Sequence, residues 1–414
     1  LVARKPTADA PPTTARVCDI PRDMLRIDDL SNQIKAEGFE LPRKNLSSDA
    51  WTLEPPGMMA LMEKMRRVGQ LLKEFIGCAP VYGIKTGFNE AYLIDSLTRN
   101  RLVEVDPSSE TLFRPFLRGQ DVDRWYSQWA GQWMIRMKSS SNYEWPWSRA
   151  GEQAEDVFMR TYPALHEHFC RYRRELAERR NKAQFWWELS GNSHWELFDQ
   201  PKIIYPDLTW RPSFSLEKTG ATVGDTIFFL PVSDLWILAV LNSPIMWSWL
   251  WRNTVHGKDE VLRLKTIYTE QIPIPPASDA IRSAAESAVR KLIDLTARQK
   301  DSVSAVLDWL RVEYAADKPS QKLQDVSALA PDALVDEVKK VRGKKNPLTV
   351  AGLKALREEH GRSIVPLQTL ALEARTLERQ VAELVNTAYG LTPEEVALMW
   401  KTAPPRMPGI PPTT

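Results

Sequence analysis

The longest uncharged apolar run in the chain is LWILAVLNSPIMWSWLW, residues 235–251. It is shorter than a typical membrane span, and Asn242, Ser243 and Pro244 interrupt its middle. The run therefore predicts a buried helix, a turn and a second apolar helix in the core of a globular protein.

The composition around this run is ordinary for a globular protein. The 414 residues are 43% hydrophobic and 26% charged, which predicts two or three domains with a large core. The net charge is only +2, so any nucleic-acid function must rest on a local basic surface. Cys18, Cys78 and Cys170 form no C-x-x-C pair, which indicates neither zinc nor a disulfide framework and fits a reducing cytoplasm. The first residue, Leu1, suggests a fragment or a processed product.

Tryptophan is unusually frequent near the apolar run. Of the 16 tryptophans, 13 lie between Trp125 and Trp251. A buried indole needs a partner for its N–H group, so tryptophan is a demanding way to fill a core. Two interpretations remain open: a tryptophan-rich core, or a surface whose rings stack on bases.

Strand patterns and turns extend on both sides of the run, from residue 80 to residue 274. AYLID (91–95) and RLVEV (101–105) flank LTRN and predict a hairpin. Further elements are predicted as strands at WMIRM (133–137), KIIYPDL (202–208) and TIFFLPV (226–232), and as helices at 160–180 and 234–251. The pattern predicts an α+β fold: a mixed, largely antiparallel sheet domain with inserted helices, followed by a C-terminal α-helical hairpin region.

The flanking segments are mostly helical. Residues 57–77 predict one amphipathic helix ended by Gly77, and residues 278–315 predict a long one. A heptad-like seam over 367–389 favours an antiparallel helix hairpin. The expected division is an irregular linker (1–20), a helical lead-in (21–79), the mixed domain (80–276), a C-terminal helical region (277–400) and a disordered tail (401–414).

The segment GIKTGFNEAYLID (83–95) is the first candidate binding loop. Its glycines permit positive φ and close approach of a ligand. Lys85, Thr86 and Asn89 offer a cation, a hydroxyl and an amide, which suit a phosphate backbone and a base edge. A tight turn with polar decoration explains the segment equally well.

The segment RPFLRGQDVDRW (114–125) is the second candidate. Arg118, Gln120 and Arg124 are of the types that pair with guanine and adenine edges. The alternative is an internal ion-pair cluster with the two neighbouring aspartates.

Other basic and aromatic residues extend the candidate DNA-binding set. The run RYRRELAERRNK (171–182) contains Arg173 and Arg174, which could contact phosphates or line a solvated helix face. Lys202 lies in PKIIYPDL, and Arg211 lies in YPDLTWRPSF, where aromatics could stack on bases or pack in the core.

Motifs for catalysis are missing from the sequence. The P-D pair at 206–207 is followed by adjacent Glu217 and Lys218, which breaks the E-x-K spacing of a metal-dependent nuclease. His166 and His168 stand at i, i+2 and would face different ways on a helix, so no metal site is expected. The chain contains no G-x-S-x-G elbow, no Gly-rich nucleotide loop and no N-P-P-Y or D-P-P-Y motif.

Seven segments form an ordered series along the chain: GIKTGFNEAYLID (83–95), RPFLRGQDVDRW (114–125), YPALHEHF (162–169), FWWEL (185–189), PKIIYPDL (201–208), AVLNSP (239–244) and YTEQIPIP (268–275). Together they resemble the TaqI-like C-terminal specificity domain of class I N6-adenine DNA methyltransferases, found in type IIG restriction–modification enzymes and related phage-exclusion methylases. LTPEEVALMW (391–400) also resembles the end of such proteins.

The resemblance implies a division of labour. In this family a Rossmann-like catalytic domain binds S-adenosylmethionine and carries N-P-P-Y, while the specificity domain reads bases in the major groove. We therefore expect neither catalytic residues nor a cofactor in this chain, and as partners double-stranded DNA and a methyltransferase catalytic domain, in cis or in trans. A cytoplasmic defence role without membrane contact follows. Two alternatives remain: a scaffold subunit of a defence system, and a metal-dependent nuclease using Asp207.

Overall fold

The computed structural model describes residues 13–18, 30–43, 53–191, 194–343 and 346–411. The predicted α+β class is confirmed: small, largely antiparallel sheets carry inserted helices, and long helices follow them. Among the described residues, no helix is both long and apolar enough to cross a membrane. Most of the predicted linker (1–20) and the start of the lead-in (21–29) lie outside the described residues.

The strands are short, and they run through the first two thirds of the described chain. In chain order they are β1 (Thr14–Val17), β2 (Phe39–Pro42), β3 (Gln70–Leu71), β4 (Val81–Tyr82), β5 (Leu93–Asp95), β6 (Phe113–Leu117), β7 (Gln132–Ile135), β8 (Lys202–Pro206), β9 (Leu208–Thr209), β10 (Ser215–Glu217), β11 (Thr222–Val223), β12 (Ile227–Leu230), β13 (Val255–His256), β14 (Leu262–Arg263) and β15 (Pro273–Ile274).

The helices lengthen toward the C-terminus. They are α1 (Leu30–Glu37), α2 (Pro56–Val68), α3 (Leu72–Ile76), α4 (Asn89–Tyr92), α5 (Ser96–Val105), α6 (Ala154–Thr161), α7 (Pro163–Cys170), α8 (Arg173–Glu178), α9 (Trp195–Asp199), α10 (Leu235–Leu241), α11 (Pro244–Asn253), α12 (Thr266–Thr269), α13 (Asp279–Tyr314), α14 (Gln321–Gln324), α15 (Pro331–Arg342), α16 (Val350–Glu359), α17 (Val365–Ala388) and α18 (Pro393–Lys401).

Two four-stranded sheets form the centre of the mixed domain. Their strand orders are β10-β8-β12-β4 and β11-β6-β7-β5, with antiparallel pairs except for the parallel pair β11–β6. The predicted strands at 133–137, 202–208 and 226–232 are confirmed as β7, β8 and β12. Every residue of β8 and β12 is buried, so both faces of this sheet centre are covered.

The apolar run forms two buried helices, as predicted. The Asp234 carboxylate accepts the amide hydrogens that open α10, and the Ser243 hydroxyl caps α11. Between them, the buried Asn242 side chain donates to the Phe214 carbonyl at 2.9 Å. These helices form one hydrophobic core together with α2 and the facing parts of α13 and α17.

The other predicted helical segments are present as well. Residues 160–180 contain the end of α6 and the whole of α7 and α8, while the long C-terminal segments form α13 and α17. The start of α13 packs with the end of α17, and the end of α13 shares a core with the start of α17. The two helices are therefore antiparallel, which confirms the predicted hairpin.

Two local predictions are wrong. RLVEV (101–105) belongs to helix α5 rather than to a hairpin, because the Asp95 side chain accepts the Thr98 amide hydrogen and starts a helix there. The helix expected over 57–77 is broken after Val68, since β3 pairs with β15. A Cβ on Gly69 would lie 2.6 Å from Pro273 Cβ, so only glycine fits this close approach.

The two ends differ from their predicted irregular state where the structure describes them. Strand β1 lies inside the expected linker and pairs antiparallel with β2 of the lead-in. The tail packs on α11: the Trp247 indole donates to the Pro405 carbonyl at 3.0 Å, and Arg252 donates to the Thr402 carbonyl at 3.0 Å. Residues 402–411 are thereby part of the folded chain.

Some tryptophans lie in the core, and at least one has an exposed ring, so each of the two interpretations of the tryptophan content applies to part of the set. Trp147, Trp187, Trp236 and Trp247 are fully buried, so the core interpretation accounts for them. Trp210 is 46% exposed, and its indole donates to the Asp259 carbonyl at 3.1 Å.

Candidate nucleic-acid interface

The first candidate loop, residues 83–89, leaves strand β4 against a neighbouring turn. The Gly83 amide donates to the Ile227 carbonyl at 2.9 Å, and the Ile84 amide donates to the Val223 carbonyl at 2.8 Å. A Cβ on Gly83 would lie 2.0 Å from the Gly224 carbonyl oxygen, so this position requires glycine. The loop therefore begins from a fixed point on the sheet.

The three polar residues predicted in this loop occupy different environments. The Thr86 side chain is buried and donates to Asn89 Oδ1 at 2.6 Å, which shapes the turn. Asn89 and Lys85 are exposed. Within the described ranges, the Lys85 ammonium has no hydrogen-bond or ion-pair partner, so it is free to meet an anion.

A buried arginine, Arg179, holds this loop against a second one. Its guanidinium donates to the Thr86 carbonyl at 3.2 Å, to the Tyr92 hydroxyl at 2.8 Å, and to the carbonyls of Trp186 and Glu188. Its charge is therefore shared among neutral oxygens rather than paired with a carboxylate. Arg179 fixes residues 83–89 against residues 180–189.

The residues that follow Arg179 are exposed cations. In the part of the chain that the structure describes, the side chains of Arg180 and Lys182 are exposed and form no hydrogen bond or ion pair. Because Arg179 bonds the backbone beside Lys85, the three free cations flank one contact between the two loops. We call Lys85, Arg180 and Lys182 the basic rim. In the sequence, Arg180 and Lys182 belong to a basic run whose pattern does not show that Arg179 alone among its cations is buried.

The second candidate motif contributes one free polar side chain. Gln120 is exposed and has no side-chain partner among the described residues. Arg118 instead forms a two-pronged pair with Asp121, from Nε at 3.1 Å and from Nη2 at 3.0 Å. The ion-pair alternative therefore describes Arg118 in this structure, while Gln120 stays open to solvent.

Arg124 lies at the junction with the helical hairpin. Its guanidinium donates to Glu378 of α17 at 2.6 Å and to the Asn242 carbonyl at 2.9 Å. Trp125, which has a φ of 71°, donates its indole hydrogen to the same carboxylate at 2.9 Å. A side chain held in this way is not available to a DNA base.

Asp123 extends the same junction. It accepts from Arg211 at 3.1 Å and from Lys300 of α13 at 2.9 Å. Burial alone would raise the pKa of this carboxyl, but the two cations outweigh it and lower the pKa. Arg211 remains largely exposed, so its free surface could still face a phosphate.

The remaining predicted cations are paired. Lys202 is 0% exposed and donates to Glu217 at 2.6 Å and to the Phe198 carbonyl at 2.7 Å. A fully buried, ion-paired lysine cannot reach a phosphate without breaking that pair. Arg173 pairs with Glu155, and Arg174 pairs with Glu178 at 3.4 Å on the surface of α8.

The structure separates the residues of the nuclease alternative. Glu217 pairs with Lys202 across β10 and β8, whereas Asp207 follows the opposite end of β8 and accepts from Arg263 at 3.3 Å. Five residues of strand at ~3.3 Å each place the two carboxylates roughly 16 Å apart. They cannot share one metal ion.

The mixed sheet domain thus carries exposed polar side chains on two neighbouring loops, residues 83–89 and residues 180–189. Residues 114–274 match the family described as the TaqI-like C-terminal specificity domain, which confirms the resemblance found in the sequence. Residues 278–385 match a second family, described as a domain of unknown function (DUF8810).

One similar solved structure is described as a type IIL restriction–modification enzyme, MmeI, in complex with DNA. It is 13% identical, and the match covers 78% of this chain and 35% of that chain, with a TM-score of 0.43. The present chain thus corresponds to about a third of the length of that enzyme.

Proposed function

We propose that this chain recognises a target sequence in double-stranded DNA for a restriction–modification system. The observation that carries the proposal is the TaqI-like specificity domain at residues 114–274. The exposed, unpaired cations of the basic rim supply the local charge that a chain of net charge +2 needs for such a role.

The basic rim and the neighbouring polar residues have different roles in DNA recognition. Lys85, Arg180 and Lys182 contact phosphates, which gives affinity and sets the position of the protein on the duplex. Asn89 and Gln120 are exposed amides, the side-chain type that pairs with adenine through two hydrogen bonds. Arg179 contacts no DNA and keeps the loops in place.

We also propose which reaction follows target recognition. By resemblance to its family, the module directs N6-adenine methylation by a catalytic domain, in cis or in trans, that binds S-adenosylmethionine and carries N-P-P-Y. The reaction takes place in the cytoplasm as part of defence against foreign DNA. An N-P-P-Y motif in frame upstream or in a neighbouring gene supports this proposal, and its absence from both places counts against it.

DNA binding is tested by titrating the chain against a random-sequence duplex over a series of salt concentrations. Each lost phosphate contact lowers the slope of log K against log salt by about 0.9. The variant with Lys85, Arg180 and Lys182 all changed to alanine is therefore expected to lose roughly 2–3 units of slope.

A matched control removes the same charge elsewhere. The control uses three exposed lysines of the C-terminal helical region: Lys322 of α14, Lys339 of α15 and Lys354 of α16. The variant with all three changed to alanine is expected to bind DNA as the unaltered chain does. Equal loss in both triple variants, or no salt-dependent binding by the unaltered chain at low ionic strength, contradicts the proposal.

A further inference from the structure

Helices α6 and α7 bring three metal-ligating side chains together outside the DNA-facing loops. They are Glu155 of α6, and His166 and Cys170 of α7. His166 Nε2 lies 3.1 Å from Glu155 Oε1 and 3.5 Å from Cys170 Sγ. The group is partly buried and lies within the part of the chain that the structure describes.

The sequence spacing explains half of this arrangement. His166 and Cys170 stand at i, i+4 and so share one face of α7. His168 faces away, as its i, i+2 spacing predicts, and its Nε2 contacts the Ala91 carbonyl at 2.9 Å. Glu155 comes from the preceding helix, so sequence spacing gave no sign that it joins the group.

The distances fit a tetrahedral zinc site. Zinc binds sulfur at ~2.3 Å and nitrogen or oxygen at ~2.0–2.2 Å, so neighbouring ligand atoms stand about 3.3–3.6 Å apart. The observed separations of 3.1 and 3.5 Å are close to this range. A thiolate, an imidazole and a carboxylate are also the ligand types that zinc accepts.

Neighbouring groups already orient the ligands. The Trp186 indole donates to Glu155 Oε2 at 3.3 Å, and the Phe158 ring meets the His166 ring edge-on at 5.6 Å between centroids. Such outer contacts fix the ligands of established metal sites.

In this structure the cation that contacts the Glu155 carboxylate is the guanidinium of Arg173. It donates to both oxygens of Glu155, and its side chain is 52% exposed. An exposed arginine can turn into solvent, which leaves the ionised carboxylate for another cation. The site thus already accommodates a cation, supplied here by a guanidinium.

We propose that Glu155, His166 and Cys170 bind one Zn²⁺ ion, with water as the fourth ligand. Binding displaces the Arg173 guanidinium and releases the Cys170 thiol proton to solvent, since thiolate is the form that ligates zinc. The ion joins α6 to α7 and, through Trp186, braces the loop that carries Arg180 and Lys182. The proposal does not depend on DNA binding.

The test is a titration of the full chain, stripped with a chelator, with Co²⁺ and then with Zn²⁺. One equivalent of Co²⁺ is expected to give a thiolate-to-cobalt charge-transfer absorption, which one equivalent of Zn²⁺ removes. Cys170→Ser is expected to abolish the absorption, and His166→Ala to abolish stoichiometric binding. Arg173→Ala is expected to tighten binding, because the competing cation is gone.

Cys78→Ser serves as the control, since Cys78 is a half-buried thiol outside the group. It is expected to keep the absorption and the stoichiometry. Circular dichroism of each metal-free variant separates loss of a ligand from loss of fold. The absence of a one-to-one complex in the unaltered chain, or loss of the absorption in Cys78→Ser but not in Cys170→Ser, overturns the proposal.

Discussion

Arg179 and Arg180 are adjacent in sequence but lie in opposite environments. Arg179 is buried among four oxygen acceptors, while Arg180 is exposed. Arg179→Ala leaves several carbonyls without a donor, each costing about 1–3 kcal/mol when buried. We expect a loss of at least ~3 kcal/mol in the free energy of unfolding, measured with urea.

The neighbouring substitution is the control for that experiment. Arg180→Ala should change unfolding by no more than about 0.5 kcal/mol, as surface substitutions do, and should weaken DNA binding. Arg179→Lys keeps the charge but cannot reach four acceptors, so its stability should fall between the two. Equal stability of Arg179→Ala and Arg180→Ala would show that Arg179 does not hold the loops.

Lys202 was a candidate DNA contact, but its buried ion pair leads us to expect an effect on stability and none on DNA binding. Lys202→Met leaves the Glu217 carboxylate buried without its cation, which costs about 3–5 kcal/mol. Changing Glu217→Leu as well should restore most of that loss. Urea denaturation measures both effects, and a double variant as unstable as the single one contradicts this account. DNA binding by the double variant should be unchanged.

The surroundings of the candidate residues depend partly on contacts that the sequence does not show. Lys85 was predicted on a Gly-bounded loop because its neighbours in sequence shape that loop. Arg124 was assigned to DNA, but its partner Glu378 is 254 residues away, and no local pattern reports a contact of that kind. The environment of a charged residue depends on such distant contacts.

At the scale of elements, long periodic segments were predicted well and short ones less so. The apolar run and the α13–α17 hairpin follow from repeated spacing over many residues. RLVEV was misassigned because the Asp95 cap outweighs the β-preference of its two valines. The break at Gly69 came from pairing with β15, some two hundred residues later.

The contact between α6 and α8 should respond to acid. Burial opposes ionisation of Glu155, but hydrogen bonds from Arg173, His166 and Trp186 lower its pKa to about 2. A carboxyl with a lowered folded-state pKa stabilises the fold above its unfolded value near 4.5 and loses that contribution as the pH falls toward 2. The contribution is on the order of 2 kcal/mol after allowance for solvent screening.

Glu155→Gln tests this pH dependence in metal-free protein. The unaltered chain should lose more stability between pH 5 and pH 2 than the variant does, so the stability difference between the two proteins should be largest near pH 7 and should shrink as the pH falls toward 2. Thermal unfolding at a series of pH values gives the comparison. If stability falls with pH in the same way in both proteins, the Glu155 carboxyl is not the source of the acid sensitivity.

The Glu378 carboxylate of α17 adds polar contacts to the apolar packing between α17 and the mixed sheet domain. Glu378→Ala leaves the Trp125 indole without its acceptor and the Arg124 guanidinium without its carboxylate, although Arg124 keeps the Asn242 carbonyl, and the expected cost is about 3–5 kcal/mol. Glu383→Ala, an exposed position on the same helix, should change stability by no more than about 0.5 kcal/mol. Urea unfolding followed by tryptophan fluorescence measures both variants, and equal effects would contradict the role of the junction.

At the scale of the whole molecule, the cores do not follow the boundary between the two matched families. One family ends at residue 274 and the other begins at residue 278. The core around α10 and α11 nevertheless includes the start of α13 and the end of α17, on the far side of that boundary. The distal part of the helical region has a separate core of its own. A sequence family therefore does not coincide here with a unit that folds alone.

Two deletions distinguish these cores. A chain ending at residue 276 exposes the surface that Ala285, Val289, Leu292 and Val385 cover, so it should aggregate or bind a hydrophobic dye. A chain in which a short Gly-Ser loop replaces residues 303–368 loses only the distal core, and should unfold cooperatively and keep salt-dependent DNA binding. Size-exclusion chromatography and circular dichroism compare the two. If the shorter chain is monomeric and folded, the specificity domain stands alone and the helical hairpin serves some purpose other than completing its core.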